Sequence, residues 1–86
     1  MTSIQDVVNA AERIRHSSSE VQQRSVLSAD ALQKHANLLR AVADGSATGL
    51  AGAQQVDLAT REVRQSVLEL LKLGSVIETF IQDLTK

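Results

Sequence analysis

The sequence contains no cysteine, no proline, no tryptophan and no tyrosine, and its one aromatic residue is Phe80. Without cysteine, neither disulfides nor thiolate metal sites can staple a chain of 86 residues. Without proline, nothing forces a long helix to stop except glycine. A single aromatic is sparse for a ligand pocket or a small enzyme, which use more aromatic surface, so no small-molecule ligand is expected. Charge of one sign is lacking too. The formal net charge is −1, and neither half of the chain forms a basic patch, so nucleic acid is not an expected partner. No stretch approaches the roughly 20 apolar residues that a membrane span requires. The first residues lack the basic and apolar regions of a secretory signal peptide. The compartment stays open: cytoplasmic, or exported without a cleavable signal peptide.

The sequence does hold four glycines, three of them (Gly45, Gly49, Gly52) in one short window and Gly74 alone. Apolar residues recur at helical spacing on both sides of that window. The pattern predicts one all-α domain over residues 1–86: a hairpin of two long antiparallel, coiled-coil-like helices over about 3–43 and 53–84, joined by a glycine-rich turn over 44–52. A domain this small buries a modest fraction of its surface, and its stability alone is marginal.

Ser3-Ile4-Gln5-Asp6 has the form of a helix cap, and a 3-4 repeat runs from it through Ile4, Val7, Ala11, Ile14, Ser18, Val21, Ser25, Ser28, Leu32, His35, Leu39 and Val42. Ser17-Ser18-Ser19-Glu20 offers a second capping box, but the repeat crosses it without a break, so continuity is expected. Gly45 suits a left-handed helix end, and Ser46 or Thr48 suits the next cap. The second helix repeats through Val56, Ala59/Thr60, Val63, Val67, Leu70, Gly74, Ile77, Ile81 and Leu84, and adds Leu68, Leu71, Leu73, Val76 and Phe80. A turn near 47–48 would set Leu32 across from Val63 and Val21 across from Gly74. Glu20–Arg24, Asp30–Lys34 and Asp57–Arg61 have the acid four residues before the base, a spacing that supports exposed helix.

Convergent chemistry is not visible. His16 and His35 lie nineteen residues apart on one rod, about 28 Å along its axis, and cannot meet. Glu12 and His16 share a helix face but supply only two metal ligands. The glycine window lacks the lysine of a phosphate loop. No catalytic residue, metal site or cofactor is expected, and no enzyme activity.

The apolar face of the second helix is wider than one partner helix can cover. The expected interaction residues are Val63, Val67, Leu70, Leu71, Gly74, Ile77, Phe80, Ile81 and Leu84. The expected partner is a second copy, giving a four-helix bundle, or another helical protein.

In length, paired helices and central glycine turn, the chain resembles the small Trp-X-Gly proteins of type VII secretion. Ala43-Asp44-Gly45 stands where that family has Trp-X-Gly, and Phe80-Ile81-Gln82-Asp83 stands near its aromatic-and-acid export signal. The resemblance implies a bacterial secreted substrate or escort that assembles into a four-helix bundle. The chain is also similar to type III secretion needle and co-chaperone subunits, with Gly74 to Leu84 as the polymerising segment, which implies a filament. A third likeness, through Asn37-Leu38-Leu39 and Glu62-Val63-Arg64, is to the cytoplasmic hairpin of chemoreceptors, which implies a signalling module.

Overall fold

A computed structural model describes residues 3–86. The chain forms two helices, α1 (Ile4–Val42) and α2 (Ala47–Leu84), folded back on one another into a rod of 64 × 18 × 14 Å. The expected helical hairpin is therefore the fold. Its radius of gyration of 19.3 Å exceeds the about 12 Å of a compact domain of this length.

The helix ends follow from the local sequence. The Ser3 hydroxyl accepts from the Asp6 N–H at 3.0 Å, and the Ser3 N–H donates to the Asp6 carboxylate at 3.3 Å, closing a capping box. α1 then runs unbroken through Ser17–Ser19. It stops where Gly45 adopts a φ of +81°, a conformation that costs other residues energy. The Ser46 hydroxyl caps α2 by accepting from the Gly49 N–H at 3.1 Å.

The turn is shorter than expected. α2 begins at Ala47 and not near 53, so Gly49 and Gly52 lie inside its first turns. Tertiary contact overrides the poor helix propensity of glycine here. A methyl group on Gly49 would collide with Ala43, and one on Gly52 would sit 3.3 Å from a Leu39 methyl. The missing side chains let the two helices meet at once after the turn.

That close contact fixes the register. With Ala43 against Gly49 and Leu39 at Gly52, equal helical rise sets Leu32 across from Thr60 and Ala29 across from Val63. The expected pairing of Leu32 with Val63 is corrected by about one helical turn. Farther out, Ser18 and Gly74 line the same cleft, in place of Val21 and Gly74.

The α2 repeat predicted from sequence is the one that faces α1. Every member from Val63 to Leu84 is half-buried. From Ile14 onward the α1 repeat is corrected at every second position. Ala11, Ser18, Ser25, Leu32 and Leu39 face α2, but their companions are Val8, Arg15, Gln22, Ala29, Ala36 and Ala43. Ile14, Val21 and Val42 are exposed, as are Ser28 and His35. Small side chains on α1 complement the bulky seam of α2, so the helices pack closely. The resulting core is thin. Ala11, Ala29, Ala36 and Ala53 form its buried apolar part, and no large side chain among the described residues is fully buried.

Two of the acid–base pairs expected along the helices form across the hairpin. Asp57 pairs with Arg40, and Asp30 with Arg64 at 3.2 Å. Glu20 pairs with His16 at 3.0 Å in place of Arg24. Cross-helix partners lie nearer than the i+4 base once the register is set.

Candidate interaction surface

The expected interaction residues do not share one face. Val63, Val67, Leu70, Gly74, Ile77, Ile81 and Leu84 form the half-buried seam against α1. Leu71 and Phe80 stand outside it, 49% and 46% exposed, on opposite flanks of the hairpin.

Helical geometry defines those flanks. Leu73 and Phe80 are one heptad apart on α2, and Ile14 and Val21 one heptad apart on α1. Ile14, Val21, Leu70 and Leu73 line one open groove of about 490 Å³, with Ala10, Ser17 and the stem of Arg13. Phe80 continues this row beside Val76 and Asp83. At the register set by the turn, Phe80 lies within about 3 Å of the level of Ile14, and Leu73 within about 3 Å of that of Val21. Toward the turn the same flank carries Ser28 and Ser66, then His35 and Ala59, and ends at Val42. The apolar part is thus concentrated at the open end of the rod.

The opposite flank is polar. It carries the Arg40–Asp57 and Arg64–Asp30 pairs. Leu71 sits there in a cleft with Arg15, Ser19 and Glu78. Val26 and Leu68 are its nearest exposed apolar companions on this side.

Sequence periodicity missed Ile14 and Val21 as surface residues because it placed them in the α1 seam. The available signal was the composition of the neighbouring register: Ala11, Ser18, Ala29 and Ala36 make a better match to the bulky α2 seam than Ile14 and Val21 do.

Polar chemistry does not converge. Glu12 pairs with Arg15 at 2.7 Å, while His16 pairs with Glu20, so Glu12 and His16 have separate partners. His35 is exposed on the other side of the seam. Among the described residues, no group of three or more His, Asp or Glu stands together as a metal site. The buried Thr60 hydroxyl donates to the Val56 carbonyl at 2.8 Å, whereas the buried Ser18 hydroxyl has no partner.

The surface as a whole is large for the mass. The chain exposes 6297 Å² at 9.3 kDa, against about 5000 Å² for a compact monomer of that mass. The excess, roughly 1300 Å², exceeds the about 800 Å² that each partner contributes to a standard stable interface. Among the described residues, no helix is long and apolar enough to cross a membrane. No protein family, no curated protein and no solved structure matches the chain.

Proposed function

We propose that this hairpin is a non-catalytic assembly module that pairs through its apolar flank, Ile14 and Val21 on α1 with Leu73 and Phe80 on α2, to complete a four-helix bundle. The carrying observation is the mismatch between a thin alanine-rich core and the large exposed side chains of one flank, Ile14, Val21 and Leu73 lining one groove and Phe80 continuing the row beyond it. Burying each of those side chains contributes roughly 1.5–3 kcal/mol, which is available only when another chain covers them. The primary partner is a second copy. A different helical protein with a matching apolar face is the other form of the same reading. The role fits a small secretion-system substrate or escort, in keeping with the length and the turn position shared with type VII hairpins.

A second reading, a needle-like filament subunit, draws on one observation. Leu68, Leu71 and Val26 remain exposed on the opposite flank and could seat a further copy, leading to open-ended growth.

Sedimentation equilibrium over a range of micromolar concentrations tests both. A mass that saturates at two chains supports the module, and a mass that keeps rising supports the filament. A stable monomer at all concentrations overturns self-assembly.

A further inference from the structure

The hairpin is held unevenly along its length. Toward the turn, Ala29 and Ala36 are fully buried, and Ala53 and Thr60 are 1% and 3% exposed. Toward the open end, Ala11 and Ser18 are 6% and 8% exposed. Both ion pairs that join α1 to α2 among the described residues, Arg40–Asp57 and Arg64–Asp30, lie on the turn side. On the open side the pairs stay within one helix: Glu12 with Arg15, His16 with Glu20, Glu69 with Lys72 and Asp83 with Lys86.

The division falls at one layer. Ser18 and Gly74 are level at the register set by the turn, and both are small. A Cβ on Gly74 would meet nothing within 4 Å, and the Ser18 hydroxyl is buried without a partner. The clefts on the two flanks, of about 490 and 320 Å³, both reach Ser18. Empty space supplies no contacting atoms, and a desolvated hydroxyl without a hydrogen bond opposes closure, so the layer binds the helices weakly. Beyond it, Ala11 is level with Ile81, and Val8 with Leu84, so the outer part of the rod has a small apolar contact of its own. That part is about 21 Å of the 64 Å length.

Segments with few buried apolar contacts open at lower free energy than the rest of a protein, and they open as contiguous units. The apolar groove straddles this boundary. It takes Ala10, Ile14 and Ser17 from the outer part of α1, and Leu70 and Leu73 from just inside the layer on α2. Parting the outer segments carries Ile14 away from Leu70 and Leu73 and takes the groove apart.

We infer that residues 4–18 and 74–84 open as one unit while the turn side stays closed, and that a chain covering the groove holds them shut. Binding to the closed state alone shifts the opening equilibrium by mass action. The covering chain is the second copy proposed above, so the closing step rests on that self-pairing. The opening step belongs to a single hairpin.

Amide-resolved hydrogen exchange on the full chain tests both steps. At a concentration where sedimentation shows a monomer, the outer amides should exchange about tenfold faster than those of residues 25–42 and 53–67, with a step at Ser18 and Gly74. Simple fraying of helix ends gives instead a gradient confined to the first and last turns. Such a gradient, with residues 11–18 and 74–77 exchanging as slowly as the turn side, would overturn the inference. Ala36→Gly weakens the turn side and should speed exchange there about fivefold, while the outer amides keep their rate. Equal acceleration in both parts would mean one cooperative hairpin and would overturn it as well. As concentration rises and the dimer forms, outer exchange should slow in step with the measured mass. A dimer whose outer amides keep the monomer rate would overturn the closing step and leave self-assembly standing. A monomer at every concentration would overturn self-assembly and the closing step with it, and a step still present at Ser18 and Gly74 would uphold the opening unit.

Discussion

Gly49 lies against Ala43 so closely that a methyl group on Gly49 would overlap the Ala43 side chain and stand 3.3 Å from its Cα atom. This contact is the tightest part of the hairpin and sets the level of every residue farther along the rods.

The four glycines should therefore respond differently to alanine. Gly49→Ala should destabilise by about 1–3 kcal/mol, because the clash involves backbone and cannot be relieved by a rotamer change. Gly45→Ala should cost about 1–2 kcal/mol through its positive φ. Gly74→Ala meets nothing within 4 Å and should stabilise α2 by about 0.5–1 kcal/mol. Thermal unfolding at one fixed protein concentration gives the ranking. A Gly74→Ala variant less stable than the parent would show that the space beside Gly74 is occupied in solution.

Ser18 is 8% exposed and its hydroxyl has no hydrogen-bond partner. Ser18→Ala removes a desolvated polar atom without leaving a large cavity and improves helix propensity. It should stabilise by about 1 kcal/mol, seen as a higher denaturant midpoint at unchanged slope.

Arg40 and Asp57 join the two helices near the turn, with side chains 39% and 28% exposed. A double-mutant cycle to alanine should give a coupling of about 0.2–1 kcal/mol, because both groups keep partial contact with water. The coupling should shrink as salt rises from low ionic strength toward about 1 M. A coupling that is indifferent to salt would mean that the pair is more sequestered than its exposure implies.

The hairpin was legible because its determinants are local: a capping box at Ser3, a left-handed glycine at Gly45, a serine cap at Ser46 and no proline. The α2 seam was legible because its bulky aliphatics repeat from Val63 to Leu84 with Gly74 as the one small member. The α1 seam was not. Between Ala11 and Ala29 its side facing α2 is built from alanine, serine, Arg15 and Gln22, while its exposed side carries Ile14 and Val21. Hydrophobic periodicity ranks those two faces in the wrong order. The start of α2 was also hidden, since the helical state of Gly49 and Gly52 depends on Ala43 and Leu39 across the turn and not on their own propensity.

The two flanks give the assembly proposal its sharpest contrast. Leu73 lines the apolar groove and Phe80 continues its row on the same flank, whereas Leu71 stands among Arg15, Ser19 and Glu78 on the opposite side. Leu73→Glu or Phe80→Glu would put a carboxylate into the seam between copies, where desolvation without a partner costs several kcal/mol. Symmetry repeats that cost in each copy. Either variant should abolish dimerisation at micromolar concentration while far-ultraviolet circular dichroism still reports helix at low temperature. Leu71→Glu leaves its carboxylate in water, near Arg15, and should change dimer affinity by less than about threefold, within the ±0.5 kcal/mol of ordinary surface substitutions. Sedimentation velocity on the three variants at one concentration decides the matter. Equal loss with Leu71→Glu and Phe80→Glu would mean that both flanks are covered, as a filament requires, and dimerisation lost with Leu71→Glu alone would move the interface to the polar flank.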